Sequence, residues 1–278
     1  MHCLVTGSRG FLGRRLVAHL QRSGIAVREW GSDIREIAHF REAADVVVHL
    51  AAKVRTDQFA ADREESFDVN VTGTQCVLDF CARVSARLVF ASTSGVYRST
   101  ASPVPLTEAA PTDPASDYPL SKWLAERLIH VHASRVPSVI LRIFNPYGPG
   151  QHPSFLIPQA MQCAKDGRLM IVRMPQAVRD FVYLDDVIAA IEAAIRFPER
   201  GCHTLNIGSG EGLRVETVLK RVGEVVGRPL SVERGTPHPG EVTTVVSDAT
   251  RARMMLGWEP HTGLEQGLRA ILEATDGH

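Results

Sequence analysis

The chain predicts an α/β protein, a doubly wound parallel sheet joined to a smaller α/β lobe. Three observations carry the prediction. Short apolar runs of strand length alternate with segments of helical periodicity through the first half of the 278 residues. A glycine-rich turn from Gly7 to Gly13 joins the first such run to the first helix. After Arg142 the texture changes to turn-rich sequence with short runs and more prolines, including Thr236-Pro237-His238-Pro239-Gly240. Strands that alternate with helices fold as parallel β-α-β units, because each helix covers the sheet face its own crossover passes over.

The elements follow in order. His2 to Thr6 is a short β run, Phe11 to Ser23 has apolar residues at helical spacing, and Ile25 to Trp30 alternates. Asp45 to Leu50 is a continuous apolar run, as a strand buried on both faces must be. Next come a helical stretch from Val69 to Val84, a strand Arg87 to Ala91, a helix from Pro119 to about Ser134, and a strand Ser138 to Ile143. Pro119 suits the first turn of its helix, where no N–H is needed. The stretch Asn145-Pro146-Tyr147-Gly148-Pro149-Gly150 reads as turns. Residues 1–145 with 180–208 are expected to form the sheet-bearing lobe, and 146–179 with 209–278 the smaller one. In open α/β sheets ligands sit at the carboxyl ends of the strands, so the cleft between the lobes is the expected site.

Composition excludes several classes. Lys+Arg and Asp+Glu both number 31, for a formal net charge of zero, and the two signs are interspersed. A protein that lives by neutralising phosphate carries a basic excess or a basic face, so a nucleic acid polymer is not an expected partner. No apolar run approaches the roughly 20 residues of a membrane span. Met1 leads straight into a strand rather than a signal sequence, so no membrane partner and a cytoplasmic location are expected. Cys3, Cys76, Cys81, Cys163 and Cys202 are odd in number and contain no C-x-x-C, which signals neither a disulfide framework nor a thiolate zinc site. Adjacent Asp185 and Asp186 have no supporting histidine, so they read as a helix start before Val187 rather than a metal site; no metal is expected.

Three segments carry chemistry. In Thr6-Gly7-Ser8-Arg9-Gly10-Phe11-Leu12-Gly13, Gly7 permits the tight turn, Gly10 lets a backbone approach a pyrophosphate, and Gly13 allows close helix packing. The following helix N-terminus offers N–H groups to phosphates. The spacing is G-x-x-G-x-x-G, and on glycines alone a structural turn is an equal reading. In Tyr118-Pro119-Leu120-Ser121-Lys122 the phenol and the ammonium lie one helical turn apart and share a face. A phenol with a pKa near 10 is a poor base at neutral pH, and lowering it by about three units asks for roughly 4 kcal/mol from its surroundings. On this spacing alone, a Tyr–Lys surface pair is the simpler reading. The third segment, Phe90 to Tyr97, runs from a strand end into the small hydroxyl residues Ser92, Thr93 and Ser94.

Taken together and in this order, these segments resemble the extended short-chain dehydrogenase/reductase family, the NAD-dependent epimerase/dehydratase group that acts on nucleotide sugars. The resemblance covers nearly the whole chain. It extends through Val48-His49-Leu50-Ala51-Ala52, Asn70-Val71-Thr72-Gly73-Thr74, Arg142 to Pro149, Arg179 to Val187, Asn206-Ile207-Gly208 and Leu256-Gly257-Trp258. It implies a Rossmann-type cofactor domain with a nucleotide-sugar substrate lobe, an NAD cofactor with NADP possible, and a homodimer paired through the helices near Asn70 to Val84 and Pro119 to Ser134. Carried across by position, Tyr118 is the proton-transfer residue. Lys122 lowers its pKa and holds the nicotinamide ribose, and Thr93 hydrogen-bonds the reacting sugar oxygen. Gly7, Arg9, Gly10, Phe11, Leu12, Gly13, Asp33, Ile34, Leu50, Ala51, Ala52, Asn70 and Ser92 fall at cofactor positions. Asn145, Arg179, His238 and Glu241 fall at substrate positions. A turn former is the lesser reading of Asn145, and Arg179 reads equally as a partner of Asp180 or Asp185.

The sequence departs from the family pattern in three places. The acidic residue expected at the end of the second strand is Gly31, and the stretch after it is contracted, as if a third strand were missing. Ser32-Asp33-Ile34 then resembles the family's later Asp-Ile pair beside adenine. Arg9 either faces a cofactor 2′-phosphate or sits in solvent; GDP-fucose synthase, an NADPH enzyme, has a similar shortening and arginine. After Thr93 come Ser94 and Gly95 where dehydratases have an acid, and Phe155 stands where GDP-fucose synthase has a catalytic histidine. Dehydration and 3,5-epimerisation are therefore disfavoured. A second diphosphate-binding arginine is His238, which is only partly charged near neutrality. The expected activity is a nucleotide-sugar 4-epimerase working through a transient 4-keto intermediate; the alternative is an NAD(P)H-dependent 4-ketoreductase. A catalytically silent nucleotide-binding regulator is the remaining reading, and the retention of Thr93, Tyr118 and Lys122 argues against it.

Overall fold

Five strands, β1 (His2–Thr6), β2 (Ala26–Trp30), β3 (Val46–His49), β4 (Arg87–Thr93) and β5 (Ser138–Ile143), pair with a sixth, Cys202–Ile207, in one parallel sheet. The computed structural model describes residues 1–98, 104–198, 200–236 and 243–276. The strand order is β2-β1-β3-β4-β5 and then Cys202–Ile207. This is the Rossmann order with the outermost strand beyond β2 absent. The contraction after Gly31 explains it: the chain makes one 3₁₀ turn, Ile34–His39, and returns directly to β3. Ile34 and Ile37 of that turn are buried in the core, so the short connection still contributes packing.

Period-2 alternation sorts the strand residues onto two faces. Val5, Val48, Val89 and Leu141 pack with Leu16, Leu20, Val187 and Ile191 of the helices Phe11–Arg22 and Leu184–Arg196. Leu4, Val47, Leu88 and Ile140 pack on the other face with Val77, Phe80, Ala125 and Ile129 of Gly73–Val84 and Asp117–Val131. Every residue of β3 and β5 is buried, which is why the β3 stretch reads as a continuous apolar run; β5 also buries Ser138 and Arg142, whose polar groups bond to the Val136 carbonyl and to Glu126. Most sequence boundaries hold within a residue or two. The Val69–Val84 stretch opens with a π turn, Asp68–Thr72, before its α-helix. Strand β4 runs on to Thr93, beyond Ala91.

A second group of elements packs around Tyr147, Ile157, Met161, Val218, Leu219 and Leu268. It contains the helices Leu156–Asp166, Val215–Val226 and Leu264–Asp276 and the strand Val178–Asp180, which lies between Gly212–Arg214 and Thr244–Val245. Pro146–Tyr147, expected as part of a turn, is a two-residue strand paired with Val182–Tyr183. Asp180 is fully buried, and its carboxylate accepts from the backbone N–H groups of Ser209, Gly210 and Ser247 and from both serine hydroxyls at 2.5–3.0 Å. One side chain thus joins three segments distant in sequence. Asp185 pairs with Arg15, and Asp186 accepts from the N–H groups of His261 and Thr262 while opening its helix. No helix among the described residues is long and apolar enough to cross a membrane.

Candidate active site

The glycine turn closes backbone on backbone. Gly7 has φ +68°, and a Cβ there would stand 2.6 Å from the Ala51 nitrogen; a Cβ on Gly13 would stand 2.1 Å from the Gly7 oxygen. Only glycines allow the ends of β1 and β3 and the first helix to meet this closely. The N-cap, Gly10, supplies no side-chain hydrogen bond, so the first N–H groups of the helix stay available. A side-chain-free cradle with open amides fits the pyrophosphate of a dinucleotide.

A cavity of about 630 Å³ runs from this turn across the carboxyl ends of the strands. It is lined by Gly7, Gly10, Phe11, Leu12 and Gly13, by Leu50 and Ala52, by Ser92, Thr93, Tyr118 and Lys122, and by Asn145 and Arg179. The tertiary structure therefore brings together the catalytic set and most of the positions assigned to ligands. Arg9, Asp33, Ile34, Ala51 and Asn70 do not line it. The Arg9 guanidinium lies 3.4 to 3.7 Å from where a Cβ on Gly31 would be. Asp33 caps the 3₁₀ turn and pairs with Arg35, and Ile34 is buried in the core. Ala51 contributes backbone against Gly7. The Asn70 side chain, 2% exposed, accepts from Lys53 N–H and donates to the Lys53 carbonyl and Ser121 Oγ at 2.8–2.9 Å, so it braces the site from behind. His238 and Glu241 lie outside the described residues.

Thr93 Oγ1 accepts from Gly95 N–H at 3.1 Å, leaving its own proton to donate. Tyr118 and Lys122 project from successive turns of Asp117–Val131. Burial pushes the Tyr118 phenol above its ordinary range. Burial also lowers the Lys122 ammonium to about 7, although the Glu126 carboxylate acts to raise it. Its Nζ sits 4.2 Å from the centre of the Phe90 ring, a cation–π contact that favours the charged form. Ser92 Oγ donates to Glu126 at 2.5 Å, so this hydroxyl is committed to the protein. The Asn145 amide donates to the Asp180 carbonyl at 2.8 Å, and Arg179 donates to the Val178 carbonyl at 3.0 Å.

Among the described residues, no carboxylate and no imidazole lines the cavity. Phe155 does line it, 37% exposed, and a Cβ on Gly95 would stand 2.7 Å from Pro119 Cγ, so neither place holds an acid or base. Sequence reasoning missed Gln151 and Arg173 of the lining and gave no role to buried Glu126. For Gln151 and Arg173 no local signal exists, since loops far apart in the chain bring them in. Glu126 had one: it continues the four-residue spacing of Tyr118 and Lys122.

The model of the NAD dependent epimerase/dehydratase family matches residues 3–208. The chain is 32% identical over 241 residues to an uncharacterized UDP-glucose epimerase, YtcB, of Bacillus subtilis, across 84% of this chain and 75% of that protein. It is 30% identical to the low-salt glycan biosynthesis protein Agl12 of Haloferax volcanii over 306 residues, 98% of each chain. Among solved structures it superposes on MoeE5 in complex with UDP-glucuronic acid and NAD with a TM-score of 0.92 at 29% identity, covering 100% of this chain and 99% of that one.

Proposed function

The chain belongs to the NAD-dependent epimerase/dehydratase family, and from that premise we propose that it is an NAD-dependent nucleotide-sugar 4-epimerase. The observation that carries the reading is the cavity's chemical inventory. It holds Thr93, Tyr118 and Lys122 beside a glycine cradle, and no carboxylate or imidazole among the described residues. Elimination of water or epimerisation beside a carbonyl needs a second acid or base; oxidation at one carbon followed by reduction at its other face does not.

Bound NAD would supply a hydride acceptor that later returns the hydride. The glycine turn, Leu50, Ala52, Tyr118 and Lys122 are the residues that would hold it. As the sugar C4–H bond breaks, Tyr118, deprotonated at the start of the step, takes the C4 hydroxyl proton at its phenolate oxygen, and on the return step it gives that proton back. The Lys122 ammonium stabilises the phenolate. Thr93 donates its free proton to the C4 oxygen and fixes it in place through both steps. Asn145 and Arg179 hold the nucleotide diphosphate, the guanidinium matching phosphate oxygens. Residues 1–145 with 180–208 form the cofactor domain and 146–179 with 209–278 the substrate lobe. Two copies pair through Gly73–Val84 and Asp117–Val131, a reading supported by partly exposed Trp123, Leu124 and Leu128 and by Val131, 77% exposed. A cytoplasmic location is supported by five unpaired cysteines.

Incubation of purified protein with UDP-glucose and other nucleotide hexoses, without added NADPH, should interconvert 4-epimers. Stoichiometric NADPH consumption on a 4-keto sugar with no interconversion would overturn the reading. That second outcome describes a 4-ketoreductase, which one observation favours: Arg9 lies against Gly31, where an acid would otherwise take the adenosine ribose hydroxyls. The nucleotide released on denaturation separates the two, retained NAD marking the epimerase and an empty or NADP-bearing site the reductase.

A further inference from the structure

Glu126 is fully buried and yet plays no part in the chemistry above. Its Oε1 accepts from Arg142 Nε at 3.0 Å and from Ser92 Oγ at 2.5 Å, and its Oε2 accepts from Arg142 Nη2 at 2.7 Å. Glu126, Arg142, Ser92 and Lys122 are all at most 4% exposed. Ser92 immediately precedes Thr93 on β4, and Phe90, two residues earlier on the same face, carries the Lys122 ammonium on its ring. Lys122 lies one helical turn before Glu126. A buried carboxylate is costly unless its charge is matched and its lone pairs filled, and here the bidentate Arg142 and the serine hydroxyl fill them.

We propose that Glu126 is a positioning residue of the Tyr118–Lys122 site. Clamped by Arg142, its one carboxylate ties the helix carrying Tyr118 and Lys122 to the strand end carrying Thr93, and it faces the Lys122 ammonium with the compensating charge. The buried row Lys122, Glu126, Arg142 alternates plus, minus, plus. Other charged and titratable groups face this row. Tyr118 shares the helix. His49 from β3 feels the Lys122 charge, and its burial keeps it neutral, with its pKa lowered to about 3. Arg127 Nη2 approaches Glu126 Oε2 at 3.9 Å from the exposed side, and His130 and Cys202 also feel the Glu126 charge. Among the described residues, Glu126 is the negative group that works against the burial of Lys122.

The inference rests on Tyr118 and Lys122 being the reacting pair, and its test needs no substrate. The chain has four lysines, so ¹³C-labelled lysine resolves the Lys122 titration by NMR. We compare wild type with Glu126→Gln and with the double variant Glu126→Gln/Arg142→Met. The double variant removes both buried charges and keeps the test readable if the single one, with Arg142 left unpaired, does not fold. Lys122 should lose its proton at lower pH in each variant, with the charged fraction above neutrality reduced about tenfold for each unit of displacement. With a turnover assay in hand, the alkaline limb of kcat should move the same way, with KM little changed. An unchanged Lys122 titration in the variants, or a double variant that returns to wild type, would show Glu126 to be a packing partner of Arg142 only, and would overturn the proposal. Absence of turnover on every nucleotide sugar, with Lys122 still displaced, would count against the proposed function and leave this inference standing.

Discussion

Phe90 presents its ring face to the Lys122 ammonium, while burial works against the charge of Lys122 and against the phenolate of Tyr118. The site by itself therefore holds a neutral phenol beside a lysine poised near neutrality, and the phenolate from which the proposed reaction starts needs the positive charge of Lys122 and of bound NAD beside it. Tyr118→Phe should reduce turnover by at least about 10³-fold while leaving cofactor binding intact, as a nucleotide titration beside the kinetic assay would show; undiminished turnover would refute its role as the base. Thr93→Ala, which removes one donor to the reacting oxygen, should lower kcat by about 10²-fold. His49 lies between the Thr6 and Thr74 hydroxyls, at 2.8 and 3.2 Å, and burial lowers its pKa to about 3. The unfolded chain protonates this residue from about pH 6.5, whereas the folded chain resists to about pH 3. Stability is therefore lost as pH falls through that window. Between pH 7 and 4.5 this group should cost about 2 kcal/mol, and His49→Gln should show a smaller loss in urea titrations at the two pH values.

Two elements depend on single residues for their geometry. The turn between β1 and the first helix closes only because Gly13 has no Cβ. Gly13→Ala would force an atom to 2.1 Å from the Gly7 oxygen, and the backbone shift should cost about 1–3 kcal/mol and displace the phosphate-facing amides. Calorimetry with NAD should show at least tenfold weaker binding, and a variant that binds normally would refute the cradle. In the second group of elements, Asp180 accepts five hydrogen bonds without exposure. Asp180→Asn puts an NH₂ group where N–H donors converge, and should lower stability by about 3 kcal/mol, seen as a fall in Tm. Strands β1 and β5 were legible to the residue because each centres on a short apolar run, Cys3 to Val5 and Val139 to Leu141, closely bounded by polar residues. The short strands Val178–Asp180 and Val182–Tyr183 were not, since two or three residues carry no periodicity, and each exists only because a distant partner supplies its ladder.

At the scale of the whole molecule, the half-exposed apolar stripe on Asp117–Val131 bears on assembly. Sedimentation should show a dimer, and Leu128→Glu should shift it to monomer without loss of helix content; a wild-type monomer at micromolar concentration would refute the pairing. The contraction between Trp30 and Asp45 leaves β2 at the sheet edge, as the sequence foretold, because a missing strand is a missing length of chain. Chain order alone also determined the α/β class, the glycine turn and the candidacy of Thr93, Tyr118 and Lys122, since each rests on neighbours a few residues apart. Tertiary structure decided the rest. It placed Ser92 Oγ on Glu126, set Arg9 against Gly31, buried Ile34 away from the cavity, and gathered Phe155, Gln151 and Arg173 around one space. Those are contacts between segments tens of residues apart, where local periodicity is silent and only packing of the completed sheet fixes which side chains meet.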